Sequence, residues 1–486
     1  MPGRPRSGLV IVVASLPMFM VSLNNLVVTN ALPEIARDFF ASEANLQWVV
    51  NGYILAFAGL LLTGAALGDR FGRRRVFLGG IVLFALGSIA CALAPNVGFL
   101  ILARVAQGAG AAAVQPLSLT LVTSAVPESK RSTAIGLWGG VNGLGVAIGP
   151  LIGGAVTQGL SWQWIFWINV PVALIALPLL LKFVPESRGR DRELDLFGML
   201  LVSAAVTFSV AGIVRAAADG WRATPIVGIF CAVAALLVLF VLWERRSSAP
   251  LLPLRFYRER AFVLSNIVSL AMFFGVFGSI FFISQYLQGP LGFSAFGAGV
   301  RTLPWTAMPM LVAPVAGVLA DRVGGGRLMA LGLIFQGAAL AWLATIATID
   351  LSYASMVPAL VLAGLGMGLV FAPTMIVVLG SVQDHEHGKA SGANNTVREV
   401  GGALGVAVLT TVFESRYDGA HIANAVQGAQ VFVRGMVSAI WVGVAVVAVG
   451  AVAAMLIPRR SRVQTPHDAA ADESSVTPSV VDQAVR

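Results

Sequence analysis

The chain predicts an all-α polytopic membrane protein, and three observations carry the prediction. Of its 486 residues, 57% are hydrophobic and only 11% are charged, with a mean hydropathy of +0.85. Soluble domains carry about 25% charged residues. The apolar residues also come in runs close to the roughly 20 residues that cross a hydrocarbon core as a helix. Lys and Arg, finally, concentrate in alternate connectors between those runs. The net charge of +9 would raise the question of nucleic acid in a soluble protein. Here it reports topology, and nucleic acid is not an expected partner.

Fourteen spanners are expected, near 9–32, 46–68, 75–95, 98–124, 132–157, 162–184, 195–215, 223–243, 261–288, 296–320, 327–348, 354–380, 391–413 and 434–457. With the N-terminus inside, inner connectors and tails hold 24 of the 32 Lys and Arg. The outer connectors hold Arg37, Arg215, Arg222, Arg301, Arg416 and Arg434, while Arg104 and Arg398 fall inside spans. That asymmetry and an even number of crossings predict that both termini are cytoplasmic. Residues 1–8 then form a short cytoplasmic N-terminus. The run that follows is too long for a signal-peptide core and lacks an A-x-A-like cleavage site, so it reads as the first spanner. Residues 9–184 make a six-helix bundle, 185–260 a linker with two extra transmembrane helices, and 261–457 a second six-helix bundle. Residues 458–486 turn polar and read as a disordered cytoplasmic tail. Cys91 and Cys231, in separate apolar segments, read as small core residues rather than a disulfide.

The two halves repeat a loop. "LGDRFGRRR" (Leu67 to Arg75) follows the second spanner and "LADRVGGGR" (Leu319 to Arg327) the tenth; both contain L-x-D-R-x-G. Gly72 and Gly324 suit a chain reversal that other residues resist. Asp69 can face the positive end of a neighbouring helix, while Arg70, Arg73, Arg74 and Arg75 stay on the anionic cytoplasmic side; Asp321 and Arg322 stand at the same places in the second copy. One reading makes these loops topology anchors; the sharper one makes them a conformational latch between bundles. In the fourth spanner, "LILARVAQGAGAAA" puts Arg104 about two turns inside the helix. It must find a polar partner there or snorkel to the interface. The fifth, "GLGVAIGPLIGG", repeats Gly145, Gly149 and Gly153 every fourth residue beside Pro150 and Gly154. That is a smooth packing face with a proline bend.

On these motifs the chain resembles the major facilitator superfamily, specifically its fourteen-helix drug:proton antiporter family. The first-loop motif matches at Leu67, Asp69, Arg70, Gly72, Arg73 and Arg74, with Ala65 where glycine is usual. The second copy matches at Gly317, Leu319, Asp321, Arg322 and Gly324. The fourth-helix motif matches at Arg104, Gln107 and Gly108, and the fifth-helix antiporter motif at Gly145, Gly149, Pro150, Gly153 and Gly154. "WQWIFWINVP", "QYLQGPLGFSAFGAG" and "NNTVREVGGALG" also look like family segments. The resemblance covers roughly residues 9 to 457. It implies the major facilitator fold and a multidrug or antibiotic exporter of a bacterial cytoplasmic membrane, working by alternating access.

One departure matters. The family's first helix usually carries an aspartate that handles substrate or proton, and here Asn24 takes its place, next to Asn25. An amide can bond a substrate or Arg104 but cannot carry a proton. Among the remaining acids only Glu399 lies well inside a span, roughly 12 Å from its start. A carboxyl so placed is costly when charged and suited to loading and releasing a proton. Glu399, with Arg398 and Arg104, is therefore the expected proton-coupling group; the competing reading is a structural Glu399 bonded to Arg398 or a neighbouring helix. Asn24, Asn25, Trp138, Asn142, Gln285 and Trp305 are candidate substrate contacts. Phe273, Phe274, Phe277 and Phe281 have helical spacing that suits a lipid-facing or core stripe more than its alternative, substrate contact. Asp384, His385, Glu386 and His387 read as a solvated charge cluster rather than a metal site.

No P-loop, catalytic triad or zinc spacing appears. Neither enzymatic activity nor a cofactor is expected, and a proton gradient is the energy source. The expected partners are the bilayer, an amphipathic small molecule and protons, with the chain acting as a monomer. An uncoupled facilitator, an importer or a transporter-like sensor stand as alternatives.

Overall fold

The computed structural model describes residues 7–189, 194–417 and 424–458. The expected tail, 458–486, therefore lies outside the described residues except for Pro458. Among the described residues, twelve helices are long and apolar enough to cross a membrane.

The first half runs α1 (Ser7–Phe39), α2 (Glu43–Phe71), α3 (Arg73–Ala92), α4 (Val97–Ser124), α5 (Arg131–Gly159), a single turn α6 (Trp164–Trp167) and α7 (Asn169–Phe183). Then come α8 (Leu196–Asp219) and α9 (Thr224–Glu244). The second half comprises α10 (Arg260–Gln288), α11 (Ala295–Thr306), α12 (Met308–Val323), α13 (Gly325–Ile346), α14 (Tyr353–Gly380), α15 (His387–Tyr417) and α16 (Ala425–Met455).

Two expected spans are broken helices. The tenth divides into α11 and α12 around Ala307, between Pro304 and Pro309, because each proline removes a backbone donor. The sixth divides at Ile168. The first helix instead overruns its expected end near 32 and continues to Phe39. The extension is anchored: Ile35 is fully buried, Trp162 Nε1 donates to Asp38 at 2.7 Å, and the Phe39 and Trp162 rings meet edge to face at 5.6 Å. Tertiary contacts here outweigh the helix-ending tendency of Pro33.

The repeat seen in the sequence is a repeat of packing. α1 lies on α5 as α10 lies on α15, α3 on α4 as α13 on α14, and α2 on α4 as α12 on α14. Lipid supplies no hydrophobic force between helices, so small residues that let backbones approach do the joining. A Cβ at Gly108 would come 2.4 Å from the carbonyl oxygen of Tyr53, and one at Gly110 2.8 Å from that of Gly80. These two glycines seat α4 against α2 and α3. Gly145 serves α5 in the same way, lying against Phe19 and Ser22 of α1.

The halves meet along two related seams, α2 against α15 and α12 against α5. The α5–α12 seam is again glycine-lined: a Cβ at Gly136 would sit 2.8 Å from the Ala313 carbonyl oxygen, and one at Gly317 2.6 Å from that of Ser132. The extra pair is peripheral. Most of α9 is exposed except for a stripe at Ile226, Val233, Phe240 and Glu244. Cys231 on α9 is exposed, which corrects its reading as a core residue; Cys91 is buried. α8 lies along α2 and α15 together, with Thr63 and Ser203 hydroxyls 3.1 Å apart, and Trp221 in the turn that follows it donates from Nε1 to Thr411 at 2.8 Å.

Candidate functional site

Arg104 is 1% exposed and does not snorkel. Its Nη1 donates to Asn24 Oδ1 and to Gln107 Oε1, both at 2.6 Å, and its Nε to the Val49 carbonyl at 3.0 Å. Its Cζ lies 4.2 Å from the centre of the Tyr53 ring. Gln107 passes the chain on to Ser88 at 2.6 Å, which also accepts from Asn169. The amides and a carbonyl thus solvate the guanidinium without neutralising it. Such charge-assisted bonds are worth about 1.5–3 kcal/mol each. Asn24 Nδ2 and the Tyr53 hydroxyl are buried with no hydrogen-bond partner.

Across the seam, the first half of α15 carries a run of polar side chains. Asn394 donates to Asn266 Oδ1 at 3.0 Å and Ser269 Oγ at 2.9 Å on α10, while Asn395 Oδ1 accepts from Gln115 on α4 at 3.2 Å. Arg398 is 2% exposed, between the faces of Phe273 and Phe371, whose centres lie 5.2 and 4.8 Å from its Cζ. Its Nε and Nη1 have no acceptor. Glu399 is half-buried and near enough to both Arg398 and Tyr53 for electrostatic interaction. No ion pair among the described residues joins Glu399 to Arg398. Arg104, Tyr53, Glu399 and Arg398 thus form one series crossing between the halves.

The other sequence candidates scatter. Asn142 accepts from Ser22 at 2.6 Å in the α1–α5 contact, and Trp138 is fully buried, donating to Ser118 at 3.0 Å. Trp305 is fully buried with Nε1 unbonded. Gln285 lines a groove of about 560 Å³ between the ends of α10 and α16, with Gln288, Gly289 and Phe432. Of Asn25, Pro150 and Gly154 only the helical backbone is described. Gly149 and Gly153 are buried. Phe273 and Phe274 are buried, Phe277 is half-buried and Phe281 is exposed.

The two repeated loops lie at the same end of the seams. Asp69 is buried and accepts from Arg73 Nε at 2.7 Å, and a Cβ at Gly388 would fall 2.7 Å from its Oδ2. Its carboxylate therefore sits at the positive end of α15. Gly72 turns with φ +112° and Gly324 with φ +95°, a region that L side chains resist. Arg73 Nη2 donates to the His385 carbonyl at 3.3 Å, and Arg131 grips Asp384 through two bonds of 2.9 and 2.8 Å. Arg255 pairs with Glu386. In the second copy Ser132 donates to Asp321 at 2.7 Å, but Asp321 is exposed, as are Arg70 and Arg322. Glu386 and His387 are buried while Asp384 is exposed, so only part of the segment is the solvated cluster the sequence suggested; its charges tie one half to the other.

Sequence reasoning missed Tyr53, Gln115 and Asn395. Each acquires its role only from a helix far away in the chain, and the one available signal was polarity inside an apolar run.

The Major Facilitator Superfamily family model matches residues 14–199 and 196–406. The chain is 36% identical over 418 residues to the tetracenomycin C resistance and export protein of Streptomyces glaucescens, covering 85% of this chain and 77% of that one. It is 38% identical over 411 residues to the puromycin resistance protein of Streptomyces alboniger, covering 83% and 81%. It is 37% identical over 447 residues to the cephamycin export protein of Amycolatopsis lactamdurans, covering 87% and 89%. Its fold is similar to that of the human organic anion transporter MFSD10, with a TM-score of 0.65 at 16% identity, over 91% of this chain and 100% of that one. With two packing repeats joined along paired seams and these matches across most of its length, the chain belongs to the Major Facilitator Superfamily and is a membrane transporter, not an enzyme.

Proposed function

We propose that this transporter exports amphipathic or hydrophobic drugs, antibiotics or metabolites from a bacterial cell in exchange for protons. It works as a monomer in the cytoplasmic membrane, with fourteen crossings and both termini cytoplasmic. α1 and α5 join the twelve apolar spans to make fourteen, α6–α7 and α11–α12 each counting as one crossing. Residues 9–184 and 261–457 are the moving bundles, and 185–260 the linking pair. The resistance and export proteins among the relatives support the direction and the substrate class.

One observation carries the coupling: Glu399 is an acid inside a span, half-buried on α15, the helix that meets α2 of the opposite bundle along the seam. Arg398 and Arg104 flank it. A proton loaded there removes the charge that faces Arg398, and release restores it, so occupancy biases which way the seam opens. Asn24 and Asn25 offer neutral hydrogen-bonding groups to cargo; Asp69 and Asp321 with their arginines latch the bundles, and the Gly145–Gly154 face lets α5 slide on α1.

Everted membrane vesicles test the coupling. An imposed inside-acid gradient drives uptake of a fluorescent amphipathic dye by the native protein. Glu399→Gln abolishes the gradient-driven component while leaving dye counterflow. Full gradient-driven uptake by Glu399→Gln would remove the acid from the mechanism.

A further inference from the structure

Among the described residues, two buried arginines lie well inside spans, Arg104 and Arg398, and they differ in a telling way. Arg104 is bonded to the oxygens of Asn24, Gln107 and Val49. Arg398 has no such set: Nε and Nη1 are buried without an acceptor, and its close neighbours are the ring faces of Phe273 and Phe371. A ring face attracts a cation but does not accept its in-plane N–H donors. Glu399 follows it in the chain yet projects about 100° away around the helix, and no ion pair joins the two. Arg398 lies about 16 Å along α15 from His387, at 1.5 Å per residue, so lipid phosphates at the bilayer surface do not reach it. The unfilled acceptor position therefore calls for a group that arrives inside the protein.

We propose that Arg398 anchors an anionic substituent of the cargo, a carboxylate or phenolate, with Phe273, Phe277 and Phe371 receiving the aromatic body that bears it. The planar guanidinium fork matches a carboxylate through two parallel bonds. Phe273 and Phe277 are stacked with centres 5.5 Å apart, and Phe371 stands 5.9 Å from Phe273. They form a ring-lined wall beside the charge. Phe277 and Glu399 are only half-buried, so the charge lies one side chain away from accessible space. This deepens the export reading and rests on it: aromatic acids, rather than lipophilic cations, are the favoured cargo. Glu399, when ionised, competes for the same guanidinium.

Purified full-length protein in lipid nanodiscs tests this with three probes of one skeleton: 9-anthracenecarboxylate, 9-anthracenemethanol and 9-(aminomethyl)anthracene, followed by fluorescence anisotropy. The carboxylate should bind on the order of tenfold tighter than the alcohol, and the amine weakest. Arg398→Gln should bring the carboxylate-to-alcohol ratio close to one, and Arg398→Lys should keep part of it. Glu399→Gln should raise carboxylate affinity severalfold. If Arg398→Gln does not fold, the lysine and Glu399→Gln variants carry the test. Equal binding of carboxylate and alcohol, preference for the amine, absence of carboxylate binding, or a preference that survives in folded Arg398→Gln would overturn the anchor. Binding and export separate cleanly. Carboxylate preference without vesicle transport refutes export alone, and vesicle transport without that preference refutes the anchor alone.

Discussion

At the scale of single residues, the contact that decides most is Asn24 Oδ1 on Arg104 Nη1 at 2.6 Å. A guanidinium at membrane depth is tolerated because oxygens surround it, and each one removed leaves an N–H unbonded in a place water does not supply. Asn24→Leu should therefore lower stability by about 1.5–3 kcal/mol, read as a fall of several degrees in the detergent unfolding midpoint. Asn24→Gln, keeping an acceptor, should lose less. An unchanged midpoint in the leucine variant would show that Arg104 relies on other partners. This pair was half legible in the sequence. Arg104 inside an apolar run demanded a partner, and Asn24 was the polar residue at the corresponding place in another helix. Tyr53, under the guanidinium at 4.2 Å, was not legible, since an aromatic in an apolar run reads as packing. Glu399 could be picked out as an intramembrane acid. That it diverges from Arg398, rather than pairing with it, depends on helix azimuth and on the phenylalanines that surround the arginine.

At the scale of elements, helix existence was legible because apolar runs of membrane length admit little else; helix ends were not. Phe39 became the end of α1 through Trp162, and Ala307 the break between α11 and α12 through its flanking prolines. Which glycines mattered was also hidden. The repeat at Gly145, Gly149 and Gly153 announced a packing face against α1, whereas nothing in the sequence paired Gly136 with Gly317 across the α5–α12 seam. A side chain at Gly317 would strike the Ser132 carbonyl oxygen at 2.6 Å, and backbone does not yield as a flexible side chain does. Gly317→Val should hold the seam apart. Vesicle dye uptake should drop by roughly an order of magnitude or more, with membrane insertion retained; uptake near the native rate would show that the seam tolerates spreading.

At the scale of the whole molecule, the repeated loops are alike in sequence and unequal in setting. Asp69 is buried against the first turn of α15, whereas Asp321 is exposed and bonded to Ser132. Exposed interactions contribute about 0–1 kcal/mol, while a buried carboxylate at a helix N-terminus contributes more. Asp69→Asn should thus loosen this end of the protein markedly more than Asp321→Asn. Maleimide labelling of a cysteine placed at Ser187, with Cys91 and Cys231 replaced by serine, should speed up severalfold in the first variant and little in the second. Equal rates would contradict the inequality. A related inequality separates the two seams. α8 and the turn after it lie along α2 and α15 together, bound by Thr63–Ser203 and Trp221–Thr411, and no helix from outside the bundles straddles α5 and α12 in this way among the described residues. A greasy molecule dissolved in the leaflet should therefore meet a shuttered flank on one side and an unshuttered one on the other, and any entry from the lipid is expected along the unshuttered flank.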